Sequence, residues 1–175
     1  MSGPVPGMVG TMQTSLRSDR GGDDGLQITC NINVVVVFED SAAGKHAEAF
    51  YEHLSRRLGG EFGFARYQWS FSLLQDVSVR DAAADDAAMA DIVIIATHGD
   101  AELPEHVDTW LQAWVGRNTG PMALVALFDG PAHDLETREE LRSSLSRLAQ
   151  TGGMDFFAEP DNQSRTEFFN RLVGV

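Results

Sequence analysis

Polar side chains that could bind a ligand fall in three short segments of this 175-residue chain, each directly after an apolar run. Imidazole and carboxylate groups can exchange protons or bind metal ions, and a turn with Ser and Gly before a helix can present backbone N–H groups to an anion. The sequence therefore predicts a binding site built from loops. Its candidate residues are Ser41, Gly44, Lys45 and His46 in the first segment, Thr97, His98, Gly99 and Asp100 in the second, and Gly130 and His133 in the third.

None of these residues stands in a pattern typical of a catalytic or metal site. Ser41 lacks the flanking glycines of a hydrolase nucleophile. Cys30 is the only cysteine, so it cannot form an internal disulfide or a multi-cysteine zinc site. Asp40, His98 and Asp100 are residue types that bind metals, but such residues at strand ends are more often solvated or cap a helix. We therefore assign no catalytic and no metal-binding residue.

Apolar periodicity predicts alternating strands and helices from residue 28 onward. Continuous β-branched runs are typical of strands buried on both faces, whereas alternation of apolar and polar residues indicates a half-exposed strand. The predicted strands are Ile32–Phe38, Phe64–Leu74, Ile92–Ala96, Met122–Phe128 and Met154–Ala158, of which the second alternates. The first two predicted helices are Lys45–Leu58 and Asp81–Met89. Pro104 opens the third, which carries Trp110 and Trp114 on its core stripe. Capping-box spacing marks the last two: Thr137 and Glu140 begin a helix that runs to Gly152, and Ser164 and Glu167 begin one that contains Phe168 and Leu172.

This alternation predicts an α/β fold, a three-layer αβα sandwich around a five-stranded parallel sheet. The doubly wound strand order 2-1-3-4-5 places the second and fifth strands at the edges. That placement suits this chain, because those two strands are the alternating one and the short one. Ligands of such sheets bind outside the carboxyl ends of the strands, near the switch point between the first and third strands. We therefore expect the three polar segments to meet at that edge.

The second segment carries a resemblance to a known family. The run Thr97-His98-Gly99-Asp100-Ala101-Glu102-Leu103-Pro104 resembles the Thr-aromatic-Gly-Asp-Gly-Glu-x-Pro loop of flavodoxins and diflavin reductases, and the helix after it is also similar. The resemblance implies a single flavodoxin-like domain over residues 27–175. Residues 1–26 are rich in Gly, Ser, Pro and Asp, a composition that predicts a flexible N-terminal arm. The resemblance also implies that the Thr97–Pro104 loop packs against the isoalloxazine ring of FMN.

The first segment, residues 41–46, occupies the place where flavodoxins hold the FMN phosphate at a helix N-terminus. The resemblance implies that Ser41 and Gly44 solvate this phosphate and that the Thr97–Asp100 loop positions the ring. FMN is then the expected cofactor, electron transfer the expected function, and a redox protein the expected partner.

A cofactor-free member of the same fold, acting through contacts with a redox or signalling partner, is the alternative. Ala43 and His46 stand where the family has hydroxyl groups, and Ala101 stands where it has a second glycine. His98 replaces a larger aromatic residue. These differences keep both functions open.

Receiver domains of response regulators share this topology, and Glu39-Asp40 is similar to their metal-binding acidic pair. A phosphorylatable receiver also needs an aspartate at the end of the third strand, where this chain has Ala96-Thr97. The sequence therefore leaves only a degenerate, receiver-like interaction domain from this class.

The charge balance bears on the choice of partner. The formal net charge is −13, and Arg56-Arg57 is the largest basic cluster. Because binding to a phosphate backbone needs a basic surface, we expect no nucleic-acid partner. No apolar run is long enough for a membrane helix, and no secretory signal is evident. We expect an acidic, cytoplasmic protein whose surface charge can steer it toward basic partners.

Overall fold

The computed structural model describes residues 30–60, 62–117, 123–159, 166–167 and 169–171. Over these residues the chain alternates strand and helix, as the periodicity predicts. The strands are β1 Asn31–Phe38, β2 Gly63–Ser70, β3 Ile92–Thr97, β4 Ala123–Phe128 and β5 Asp155–Glu159. The helices are α1 Ser41–Leu58, α2 Val77–Ala88, α3 Glu105–Arg117 and α4 Leu135–Thr151, with a 3₁₀ turn at Leu73–Gln75. The predictions for residues 1–26, Met122, Ser164, Phe168 and Leu172 lie outside the described residues.

The five strands form one parallel sheet in the order β2-β1-β3-β4-β5, which confirms the predicted topology and is the order of the flavodoxin-like fold. Every residue of β3 and β4 is buried. Helices cover both faces of this central pair, so a continuous apolar run is what these strands require. The register pairs Phe38 with Ala96 and Thr97 with Phe128, so β1, β3 and β4 end side by side.

The edge strand β2 is shorter than the predicted Phe64–Leu74. Its partner β1 ends at Phe38, whose carbonyl accepts the N–H of Phe71 at 2.8 Å. The chain then turns into the 3₁₀ segment, and Leu73 is 46% exposed instead of continuing the apolar face. The alternation itself is confirmed for Tyr67 and Trp69, which pack against the same apolar cluster.

Three helices begin earlier than their apolar periodicity indicates. The predicted starts at Lys45, Asp81 and the Thr137 capping box are wrong, because in each case an aspartate upstream caps the helix. A carboxylate that accepts two backbone N–H groups satisfies donors that the first turn otherwise leaves unpaired. The pairs are Asp40 with Ala42 and Ala43, Asp76 with Ser78 and Val79, and Asp134 with Glu136 and Thr137.

Two apolar cores flank the sheet. The first core lies between α1 and one face of the sheet, and the second lies between the opposite face and the helices α2, α3 and α4. Trp110 and Trp114 are fully buried in the second core and stack with their ring centroids 5.6 Å apart, which confirms their assignment to core packing. No helix within the described residues is both long enough and apolar enough to cross a bilayer. The layers leave the carboxyl ends of the strands as the surface on which the polar loops meet.

Candidate functional site

The loops after β1, β3 and β4 lie side by side because their strands are neighbours in the sheet. Backbone hydrogen bonds continue past the strand ends: the N–H of Glu39 donates to Ala96 O, and the N–H of Asp129 donates to Thr97 O, both at 2.9 Å. The three predicted segments therefore meet at one edge, although their members contribute unequally.

Glu39 ties the first loop to the second. Its Oε2 atom accepts a hydrogen bond from Thr97 Oγ1 at 2.5 Å and another from the backbone N–H of His98 at 2.9 Å. Thr97 is buried, and its hydroxyl oxygen also accepts the N–H of Gly99 at 3.2 Å. Thr97 thus acts as an internal link that sets the backbone of the second loop.

The His98 ring lies between two carboxylates that belong to different loops. Its Nε2 atom is 2.7 Å from Asp40 Oδ2, and its Nδ1 atom is 3.7 Å from Asp129 Oδ2. The hydrogen bond with Asp40 raises the pKa of His98 above its ordinary value, since it favours the charged ring. Burial opposes this shift, while the charges of Asp40, Glu39 and Asp129 add to it.

Asp40 uses its two carboxylate oxygens for different purposes. Oδ1 accepts the N–H groups of Ala42 and Ala43, each at 3.0 Å, and Oδ2 contacts His98. The hydrogen bond from the Ala43 N–H, and then that from His98, hold the pKa of Asp40 below its usual range. This one side chain therefore caps α1 and joins it to the loop after β3.

Replacing Asp40 with alanine should lower the free energy of unfolding by about 1–2 kcal/mol, the usual cost of losing an N-cap. Asp40→Asn should cost less, because an asparagine oxygen can still accept the N–H groups of the first turn. Urea denaturation of the two variants measures the difference. Equal losses would mean that the charge, and not the cap, carries the stabilisation.

The remaining predicted residues of the first segment divide into two groups. Ser41 and Lys45 are exposed on the first turns of α1, and Gly44 packs against Phe38, where an added Cβ would lie 3.1 Å from the ring. His46 lies between two carboxylates: its Nδ1 atom is 3.8 Å from Asp129 Oδ1, and its Nε2 atom is 4.0 Å from a carboxylate oxygen of Glu159.

The third segment is joined to the second through Arg138, which lies in α4. Its guanidinium donates to the carbonyl of His98 at 2.5 Å and to that of Gly130 at 3.2 Å, and it lies over the Phe128 ring. His133 is exposed, and its backbone N–H donates to Asp100 at 3.3 Å. Asp100, Gly130 and His133 are all exposed and form the rim of the edge.

Two backbone N–H groups at the first turn of α1 are already engaged. Those of Ala42 and Ala43, which could otherwise solvate a phosphate, are bonded to the Asp40 carboxylate. The nearby side chains of Glu39 and Asp129 add further negative charge, which opposes a second anion. Over the part of the chain that the structure describes, no group of three or more His, Cys, Asp or Glu side chains is arranged to hold a metal ion.

Four residues that the predicted site did not contain also connect the loops of this edge: Glu39, Asp40, Asp129 and Arg138. Asp40 carried a usable signal, because an aspartate directly before a helix is a strong N-cap. Glu39 and Asp129 could be placed near the edge by their positions after strands, but not as partners of Thr97 and His98. Arg138 had no signal, since its contacts depend on where α4 packs.

Comparison with known proteins adds no assignment: no protein-family model matches the chain, and no curated protein matches it in sequence.

Proposed function

We propose that this chain is a flavodoxin-like domain that works without FMN and acts by binding a partner protein at the carboxyl edge of its sheet. The position of the Asp40 carboxylate carries this proposal. It is bonded to the N–H groups of Ala42 and Ala43 at the start of α1. A phosphate at this helix end would have to displace a negatively charged cap that belongs to the chain.

Charge supports a partner with basic side chains. The edge gathers the carboxylates of Glu39, Asp40 and Asp129, with Glu159 close to His46, and the whole chain has a formal net charge of −13. A surface of one sign attracts groups of the opposite sign and increases the rate of encounter with them. Lysine and arginine side chains of a partner protein have the charge that this edge would attract.

FMN binding for electron transfer is the second candidate, and the loop after β3 is the feature that favours it. Gly99 has a φ of 72°, a left-handed conformation that glycine adopts without strain, and it follows His98 in the run that resembles the flavodoxin loop. His98 lies beside it, at the position from which a flavodoxin contacts the ring. Bound FMN would supply one- or two-electron chemistry.

A titration of the ¹⁵N-labelled chain with FMN and, separately, with an arginine-rich peptide distinguishes the two functions. We expect no chemical-shift change with FMN and no quenching of flavin fluorescence. The peptide should shift the amide signals of Glu39, His98 and Gly130, and these shifts should weaken as salt is added. FMN binding at the same amides would overturn the proposal.

A matched pair of variants tests whether the peptide binds this edge. The double variant Glu39→Gln and Asp129→Asn removes two edge charges with little change of shape, and should weaken peptide binding by on the order of tenfold at low salt. The control, Glu139→Gln with Glu140→Gln, removes the same charge from exposed positions on α4. Equal weakening by both pairs would indicate only a general attraction to an acidic protein.

A further inference from the structure

Asp129 lies between two imidazole rings and is within hydrogen-bond distance of neither. Its Oδ2 atom is 3.7 Å from His98 Nδ1, and its Oδ1 atom is 3.8 Å from His46 Nδ1. The His46 Nδ1 atom is buried and has no hydrogen-bond partner. The two contacts use different oxygens, so they compete only through the position of the carboxylate: a movement that completes a hydrogen bond with one ring lengthens the contact with the other.

The protonation state of His98 decides which bond is favoured. A cationic ring carries N–H groups on both nitrogens, so Nδ1 can donate to Asp129 while Nε2 donates to Asp40. A neutral ring keeps one proton, and Asp40 at 2.7 Å is a much closer acceptor for it than Asp129 at 3.7 Å. Nδ1 then presents a lone pair to the Asp129 carboxylate, which repels it.

We propose that Asp129 is a two-position, pH-dependent link, which pairs with His98 when that ring is cationic and with His46 when it is neutral. The pairing moves from the loop after β3 to the helix α1. This inference rests on the chain's own side chains and does not depend on the proposed partner binding.

The other charged groups around His98 define how far the change can extend. Glu39 and Asp40 face it from the loop after β1, and Arg138 of α4 holds its carbonyl. Arg138 also holds the carbonyl of Gly130, so the backbones of the second and third loops stay joined in both states. The change is therefore confined to side chains.

Further from the ring, Glu159 of β5 faces His46 Nε2, and Asp100 accepts the backbone N–H of His133 at the rim. The hydrogen bond with Asp40 raises the pKa of His98. The ring therefore changes its charge above the ordinary histidine pKa of about 6.5.

NMR spectra of the histidine ring nitrogens and of the Asp129 carboxylate carbon, recorded from about pH 5 to about pH 9, test the proposal across the histidine range. We expect neutral His98 to carry its proton on Nε2. The Asp129 carboxylate signal should change with the same midpoint as His98. A neutral His98 with its proton on Nδ1, or an Asp129 signal that does not follow this midpoint, would overturn the proposal.

Two variants and a control make the assignment specific. His98→Gln should abolish the change of the Asp129 signal at this midpoint. Asp129→Asn should lower the midpoint of His98, because it removes a neighbouring negative charge. His133→Gln changes an exposed histidine at the rim and should leave both midpoints unchanged. A change of the Asp129 signal that persists at the wild-type midpoint in His98→Gln would assign the change to another group and refute the link.

Unfolding by urea at several pH values gives an independent measurement. Because the pKa of His98 is raised in the folded chain, its charged contacts stabilise the fold fully below the unfolded-state pKa, about 6.5. This stabilisation is lost as the pH rises through the folded-state pKa. The stability difference between the wild type and His98→Gln should therefore decrease with rising pH over that interval; a constant difference would contradict the charged link.

Discussion

Gly99→Ala should lower the free energy of unfolding by about 2–5 kcal/mol, the largest expected effect of any substitution in the loops of the carboxyl edge. Gly99 has a φ of 72°, which an L-residue adopts only at a cost of about 1–2 kcal/mol. An added Cβ would also lie 2.7 Å from the Phe128 ring, closer than packed carbon atoms approach. Neither the ring nor the loop can relax freely, because Arg138 lies over Phe128 and holds the carbonyls of His98 and Gly130.

Gly130→Ala is the matched control for this substitution. Gly130 has a φ of 74°, but an added Cβ would meet no atom within 4 Å. Its expected loss is the conformational cost alone, about 1–2 kcal/mol. Denaturant unfolding of both variants separates the steric contribution at Gly99 from the backbone contribution that both positions share. Equal losses would mean that Phe128 moves aside at little cost.

Trp110→Ala should lower the free energy of unfolding by about 3–5 kcal/mol, the usual range for truncating a buried tryptophan. Trp110 is fully buried and stacks on Trp114 in the core beneath α3. Its indole N–H has no hydrogen-bond partner. Trp110→Phe should therefore cost only about 1 kcal/mol, because the loss of ring volume is offset by removal of an unpaired buried polar group.

Thermal or urea unfolding compares the two Trp110 variants, with Leu135→Ala as a control. Leu135 is 76% exposed, so its truncation should change the stability by no more than about 0.5 kcal/mol. If Trp110→Phe proved as costly as Trp110→Ala, the indole N–H would have a partner, such as a buried water. Both tryptophans are sealed in the core, so neither ring is available to stack on a ligand at the edge.

The N-terminus of the first helix differs between this chain and a flavodoxin. In a flavodoxin the start of the first helix receives a phosphate, whereas here Asp40 supplies the negative charge from within the chain. The donors of the helix end are satisfied by an anion in both arrangements. FMN binding and partner binding both stay predictions until the titration separates them.

The sequence by itself determined the sheet and its order. Strands buried on both faces have to be continuously apolar, whereas an edge strand does not. The residue patterns of β3 and β4 therefore predict central strands, and the pattern of β2 predicts an edge strand. The loops that follow the central strands could then be assigned to one edge, since parallel strands end on the same side. Periodicity placed the starts of α1, α2 and α4 too late, because a capping residue such as Asp40 or Asp134 lies outside the apolar pattern.

The tertiary structure alone decided which residues of those loops interact. Asp40 and His98 are 58 positions apart in the chain, and Arg138 lies 40 positions after His98, so no local pattern relates them. Their contacts depend on the register of β1, β3 and β4 and on how α4 packs, which set distances that a sequence pattern does not contain. The physical reason is the range of the forces: burial acts residue by residue and shows in the pattern, whereas hydrogen bonds and charge pairs require atoms a few ångströms apart.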